Sequence, residues 1–349
     1  MTVRIGFLGA GLIAGYHARS LAASGAEFAF AGVHDPDGGR AAEFASWTGL
    51  TPCATVDEVL DACDAVYVCT WTSAHARLVE AAAAAGRAVF CEKPLAVDLA
   101  GARAMTAGVA ASGVINQVGL VLARSDAFGL LAHLLHHPDS GRLLSVTYHD
   151  DQYLPIHGWY ASTWRADPAR AGSGVLLEHS IHDVDMLERL GGPVVSVAAN
   201  AAHMHGLEGI EDVVAATFRF ADGAVANLTT VWHDLPERLN DRRVEVVAER
   251  LWAVLEGDWI GPLRWQRPGL SPQTLQGEAL LARVGELGLT SDNPDGAFVR
   301  AVAAGRPAWP SFADALRAHT IVDAAYRSAA AGGTAVAVPP RDGLVDSPR

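Results

Sequence analysis

The stretch Val3-Arg4-Ile5-Gly6-Phe7-Leu8-Gly9-Ala10-Gly11-Leu12-Ile13-Ala14 decides how the first third of the chain folds. Val3–Gly9 is a short apolar run bounded by glycine, the pattern of a buried strand. A helix-like run, Leu12–Gly25, follows at once. Gly9, Gly11 and Ala14 form G-x-G-x-x-A across the junction. The first glycine makes the tight turn, the second lets backbone approach a pyrophosphate, and the alanine lets helix and strand pack closely. The helix start then offers unpaired N–H groups and a positive dipole end to phosphates. A second β-rich run, Phe28–Asp35, ends in a carboxylate. Placed there, Asp35 can accept both ribose hydroxyls and repel a 2′-phosphate. These residues predict a dinucleotide site using Gly9, Gly11, Leu12, Ile13 and Asp35, with NAD preferred. His34 and Arg40 lie close enough in sequence to keep NADP possible.

Outward from this motif the alternation continues. Gly38–Thr48, Val56–Ala62, Ser73–Ala85 and Asp98–Ser112 read as helices, and Ala65–Thr70, Ala88–Lys93 and Val114–Leu120 as strands. Strands alternating with helices mean βαβ units and a parallel sheet. The expected fold is α/β over residues 1–123, a doubly wound Rossmann sheet. Residues 124–349 change character. After a helix at Ser125–His137 and a long strand at Leu143–Tyr153 comes a helix at Leu176–Leu190. Strands then crowd together at Val194–His203, Val213–Ala221, Ala224–His233 and Arg242–Ala248, with a D-G hairpin signal at Asp222-Gly223. A last helix spans about 312–331, and a short strand, Thr334–Val338, precedes a frayed tail from Pro339. This half reads as an α+β domain: a mostly antiparallel sheet covered by helices on one face. Its other face is expected to make a homodimer or homotetramer.

The formal net charge is −13 and half the residues are apolar. An acidic chain is a poor partner for nucleic acid or an anionic membrane. No run reaches the roughly 18 uninterrupted apolar residues of a membrane span. Cys53, Cys63, Cys69 and Cys91 form no C-x-x-C pair, and two of them sit in apolar runs, as reduced core cysteines do. The first residues run straight into a strand rather than a leader. The expected compartment is the cytoplasm. Among 26 basic residues there is one lysine, Lys93; the rest are arginine. A guanidinium cannot trade a proton, whereas an amine can once its surroundings lower its pKa.

Lys93 stands in Cys91-Glu92-Lys93-Pro94-Leu95, at the C-terminal end of a predicted parallel strand, where open α/β sheets bind ligands. This segment, about eighty residues after G-x-G-x-x-A, resembles the hallmark of the Gfo/Idh/MocA oxidoreductases. Thr70-Trp71-Thr72-Ser73-Ala74-His75 resembles the family's nicotinamide-side loop. Trp164-Arg165, Gly172-Ser173-Gly174, Glu178-x-x-x-His182-x-x-Asp185 and the closing helix Ala313–Ala330 extend the resemblance over nearly the whole chain. It implies hydride transfer between NAD(P) and a secondary hydroxyl of a sugar, cyclitol or related polyol. It adds Thr70, Trp71, His75, Glu92 and Lys93 to the cofactor side, and Trp164, Arg165, Lys93, Glu178 and His182 to the substrate side. The family's polar trio of lysine, aspartate and histidine falls on Lys93, Glu178 and His182, so a glutamate replaces the usual aspartate. Ser180 stands where many members have glycine.

At about 100° per residue, Glu178, His182 and Asp185 would share one stripe of a continuous helix within roughly 60°. Oxidising an alcohol needs a base for the hydroxyl proton, a role suited to histidine, while an ammonium stabilises the developing alkoxide. The expected catalytic set is therefore His182 as base and Lys93 on the oxygen, with Glu178 and Asp185 orienting. Two rival readings keep the fold: a redox-assisted lyase or glycosidase that retains NAD, and a non-catalytic NAD(P) sensor. A metal held by Glu178, His179, His182 and Asp183 is disfavoured, because no third ligand is clearly placed; the expected metal content is none. His133, His136 and His137 read as a solvated helix end favourable to the dipole. Tyr153, His157, Trp159 and Trp232-His233 are aromatics that could border a sugar.

Overall fold

The computed structural model describes residues 2–158, 160–238 and 240–341, so Trp159 and most of the tail lie outside the described residues. Val3–Leu8 (β1) is buried at every position but Arg4, as a strand sandwiched between helices must be. It joins Phe28–His34 (β2), Thr51–Pro52 (β3), Ala65–Val68 (β4), Ala88–Cys91 (β5) and Asn116–Val118 (β6) in an all-parallel sheet of order β3-β2-β1-β4-β5-β6. That is the doubly wound order, whose strand sequence reverses between β1 and β4 and opens a crevice at the carboxyl edge. Its crossover helices start on side-chain caps. Asp37, Thr55 and Asp98 accept backbone N–H groups of Gly38–Thr48, Val56–Ala62 and Leu99–Ser112 respectively.

One face of this sheet is aromatic. Phe7 pairs with Tyr67, and Tyr67 with Phe90, across β1, β4 and β5. Their rings stack at 5.0 and 4.6 Å. Phe298 meets Tyr67 and Phe90 edge-on, each at 5.7 Å. Phe298 lies on the helix Pro294–Ala304, which sequence reading did not anticipate. By compactness the unit comprises Met1–Leu120 with Ala169–Gly172 and Asp292–Leu316. The late segment is tied in by Gln117 donating to the Pro294 carbonyl and by the Val118 N–H donating to that of Pro310, both at 2.9 Å.

The second unit is built on nine strands: Leu143–Tyr153 (β7), Val194–Ala202 (β8), Val213–Phe220 (β9), Val225–His233 (β10), Asp241–Ala248 (β11), Leu251–Glu256 (β12), Leu263–Gln266 (β13), Gln273–Leu275 (β14) and Val336–Ala337 (β15). Their order is β14-β13-β12-β11-β7-β10-β9-β8-β15, antiparallel except for β7 with β10. The hairpin falls at Asp222-Gly223, where Gly223 has φ +96°. Residues alternate buried and exposed along β9 and β10, so helices cover one face and the other is open. The strands β12 to β14 and the helix Gly277–Glu286 were not anticipated. No helix among the described residues is long and apolar enough to cross a membrane.

One expectation is corrected. The helix over Leu176–Leu190 is two pieces, Val175–Glu178 and Ile181–Gly191. Buried Ser180 at the break hydrogen-bonds Thr230 Oγ1 on β10 at 2.6 Å, and His179 Nε2 lies 2.8 Å from Asp150 Oδ2 on β7. The Ser180 hydrogen bond and the His179–Asp150 ion pair tie this break to the sheet. A single helical stripe through Glu178, His182 and Asp185 therefore does not exist.

Candidate active site

Gly9 follows β1 with φ +97°, and a Cβ there would lie 2.4 Å from the Cys69 carbonyl oxygen. Only glycine turns the chain so close to the neighbouring strand. At Gly11 a Cβ would meet nothing within 4 Å. Gly11 is the N-cap of Leu12–Ala23, and no side chain caps that helix. Open space over uncapped N–H groups fits a pyrophosphate. Ala14 is fully buried, while Leu12 and Ile13 are exposed at the helix start. Asp35 accepts the Ala10 N–H through Oδ2 and the Asp37 N–H through Oδ1, both at 2.8 Å. The carboxylate thus holds the glycine turn in place and keeps lone pairs for ribose hydroxyls. The residues present fit a dinucleotide. Of the nearby cationic candidates, Arg40 pairs with Asp37 at 3.4 Å, and His34 Nδ1 lies 3.1 Å from the Cys53 carbonyl.

Lys93 follows β5 and is half-buried. The carboxylate of Glu92 is turned inward: Oε2 accepts the Lys93 N–H at 3.2 Å, and Oε1 meets His17 Nε2 at 2.9 Å. A Cβ at Gly119 would lie 2.3 Å from Glu92 Oε1, so a glycine makes room for it. Buried His17 also reaches Asp295 Oδ1 through Nδ1 at 2.7 Å. Burial opposes its charge, but Asp295 and then Glu92 outweigh that and push its pKa up to about 10. An imidazolium donating from both nitrogens thus anchors the lysine loop from beneath. The signal was weak in sequence, since His17 lies mid-helix and Asp295 far along the chain.

On the neighbouring loop, buried His75 lies between the Thr70 turn and the lysine loop, with Nδ1 2.9 Å from the Pro94 carbonyl and Nε2 3.2 Å from that of Thr70. Trp71 is partly exposed, with the Arg170 guanidinium 4.8 Å from its ring centre. Gly172 completes this unit: its φ is +88°, and a Cβ would lie 2.4 Å from the Val97 carbonyl oxygen.

In the second unit Glu178 is buried and receives Arg165 Nε at 3.3 Å, while the Arg165 guanidinium stacks on Trp164 at 4.5 Å. Trp164, Arg165 and Glu178 are therefore brought together. His182 is half-buried on Ile181–Gly191. Asp185 pairs with Arg189 one turn on, at 2.7 Å. A Cβ at Gly174 would fall 1.8 Å from the Glu211 carbonyl oxygen. The buried Glu211 carboxylate accepts the N–H groups of Gly174 and Leu176 at 2.7 and 3.0 Å and the Tyr326 hydroxyl at 2.7 Å. Sequence reading missed this clamp and a second one: buried Arg242 donates to Asp183 and Asp150 at 2.8 Å each and to Asp258 at 2.5 Å. Burial pushes the Asp183 carboxyl up to about 7, with Arg242 opposing and Asp150 reinforcing. His179 faces this cluster through Asp150.

A doubly wound sheet, an uncapped glycine turn and an anchored lysine define a dinucleotide-binding oxidoreductase. The chain belongs to the Gfo/Idh/MocA oxidoreductases. A model of the oxidoreductase family's NAD-binding Rossmann fold matches residues 3–120, and one of the GFO/IDH/MocA C-terminal domain matches 129–254. The myo-inositol dehydrogenase Hyg17 of Streptomyces leeuwenhoekii is 32% identical over 97% of this chain and 100% of its own length. The 1,5-anhydro-D-fructose reductase of Ensifer adhaerens is 33% identical over 54% of this chain, a match spanning 57% of that reductase. Among solved structures, levoglucosan dehydrogenase in complex with NADH and levoglucosan shares the fold with TM-score 0.86 at 24% identity, over 97% of this chain and all of that one.

Proposed function

We propose that the protein transfers hydride between NAD and a secondary hydroxyl of a sugar, cyclitol or related polyol. The observation that carries this reading is the single lysine at the end of β5, with Glu92 and charged His17 fixing its backbone. A tunable amine is placed where an α/β sheet presents chemistry, while each of the other 25 lysine-or-arginine positions of the chain is an arginine. NAD, when bound, supplies the hydride acceptor. In this reading Lys93 donates to the substrate oxygen and stabilises it as it becomes an alkoxide. His182 takes the hydroxyl proton. Arg165, held by Glu178 and stacked on Trp164, orients neighbouring hydroxyls. Asp185 keeps its helix in register through Arg189, and Glu92 and His75 position the loops rather than touch the cofactor. The relatives' names, a myo-inositol dehydrogenase and an anhydrosugar reductase, support the substrate class.

The test follows reduction of NAD and NADP in parallel with inositols, aldoses, sugar acids and polyols. Turnover with NAD and one stereochemical subset is the expected outcome, with NADP used poorly because of Asp35. Lys93→Met should abolish turnover yet bind NADH nearly as well. Surviving turnover would remove Lys93 from the chemistry. Reduction of neither cofactor, with NAD already bound to the purified protein, would favour a redox-assisted elimination instead. We also propose that the open sheet face pairs with a second copy of the chain. Supporting it are the small and β-branched residues of its exposed positions on β9 and β10, among them Ala215, Thr217, Val225 and Thr229.

A further inference from the structure

Three carboxylates and one guanidinium meet beside the break at Ser180. Arg242 on β11 donates through Nε to Asp183 Oδ1 and through Nη2 to Asp150 Oδ2, both at 2.8 Å, and through Nη1 to Asp258 Oδ1. Asp150 and Asp183 are buried. Also facing the pair are His179 from the break, 2.8 Å from Asp150 Oδ2, and the buried Tyr148 hydroxyl from β7, which makes no hydrogen bond among the described residues. Asp183 Oδ2 does not fit a fully ionised set: it is buried, and no donor reaches it among the described residues. A buried carboxylate oxygen without a donor is costly. The cost disappears when that oxygen carries a proton and donates it to the Asp150 carboxylate. Burial pushes Asp183 up to about 7; Arg242 opposes, and the charge of Asp150 and a hydrogen bond with it add to the rise. Burial raises Asp150 too, but Arg242 and the same hydrogen bond hold it down, so Asp183 is the one that keeps the proton.

We propose that Asp183 is a positioning residue: as a neutral acid donating to Asp150, it clamps the break that carries Glu178 and His182. The proposal rests on the role given to His182 in hydride transfer. Clamp and break are joined by the chain itself. Asp183 follows His182 in the first turn of Ile181–Gly191, and Asp150 faces His179, the residue after Glu178. Without the shared proton two carboxylates would face each other in a buried site, where like charges push apart. The sign follows from where the proton is held. The folded protein keeps it up to about pH 7, whereas an aspartate in the open chain releases it near 3.8, so rising pH works against the closed break.

The experiment follows kcat/KM against pH for wild type and Asp183→Asn, with the alcohol that the substrate panel identifies, and records infrared spectra of both proteins over the same range. An asparagine amide donates to Asp150 and accepts from Arg242 at every pH, so it copies the neutral acid. Wild type should lose activity as pH rises through about 7, and in the variant that limb should move up by about one pH unit or more. The difference spectrum, wild type minus variant, should show the C=O band of a protonated carboxylic acid on the acid side of 7 and lose it on the alkaline side. Should Asp183→Asn fold poorly, Asp150→Asn replaces it: the band should then vanish at lower pH, because the carboxylate that raises Asp183 is gone. An unmoved profile would make Asp183 merely structural and overturn the proposal. So would a difference spectrum without the acid band, which would mean an ionised Asp183. If no alcohol reduces either cofactor, the hydride-transfer reading fails by itself. The band and the hydrogen-exchange protection of residues 175–191, expected to be weaker in wild type than in Asp183→Asn on the alkaline side, then decide the clamp alone.

Discussion

Gly9 and Gly11 sit two residues apart in one motif and are glycine for different reasons. Gly9→Ala sets a methyl against the Cys69 carbonyl at a left-handed φ, so it should lower stability as well as dinucleotide affinity. Gly11→Val places its Cβ where nothing lies within 4 Å. It should leave Tm within a few degrees and still raise the Kd for NADH by roughly tenfold or more, because its side chain occupies the space left for the pyrophosphate. Paired thermal melts and NADH titrations separate the two. His17 makes a second prediction at this scale. Removing one member of a buried ion pair typically costs about 3–5 kcal/mol, so His17→Gln should unfold in markedly less urea at neutral pH. Its folded pKa is raised from 6.5 to about 10. The stabilisation is therefore complete below about pH 6.5 and lost as pH rises through 10. The gap between wild type and variant should narrow on the alkaline side; a gap that does not change with pH would rule out the ion pair as its cause.

Elements here are set as much by their neighbours as by their own residues. The run from Val175 to Gly191 has the apolar spacing of one helix, yet it breaks at Ser180 because β7 and β10 offer its polar side chains better partners than the helix does. The strands β7 and β11 are held to the helix Ile181–Gly191 by Arg242, whose guanidinium serves three aspartates. Arg242→Met would leave Asp150 and Asp183 buried without their cation, at about 3–5 kcal/mol. Loss of cooperative unfolding in the second unit, with the NADH site still formed, is the expected result in hydrogen exchange combined with NADH titration. A shift in urea midpoint too small to resolve would mean that the cluster protonates rather than pairs.

For the whole molecule, the open face of the nine-stranded sheet is the feature with the largest consequence. Thr217 on β9 and Thr229 on β10 both point to it. Thr217→Arg with Thr229→Arg should shift the protein toward monomer in size-exclusion chromatography with light scattering, without moving its Tm far. An unchanged mass, or a wild type that is already monomeric, would place any assembly elsewhere.

The division between what sequence shows and what it hides follows contact range. The parallel sheet, the glycine turn and the strand leading into Lys93 were legible because each is written in residues a few positions apart, through strand periodicity, turn chemistry and helix starts. The open sheet face was legible for the same reason, from period-two alternation. Nothing near Glu92 in sequence reveals that its carboxylate faces inward; His17, Asp295 and Gly119 decide that, from other parts of the chain. Glu211 under Gly174, Arg242 among its aspartates and the break at Ser180 are likewise contacts between distant segments. Their residues carry no local signal, since a buried charge is tolerated only where folding brings its partner to it. Sequence alone determined which residues could do the chemistry; tertiary structure decided which of them are held in place and by what.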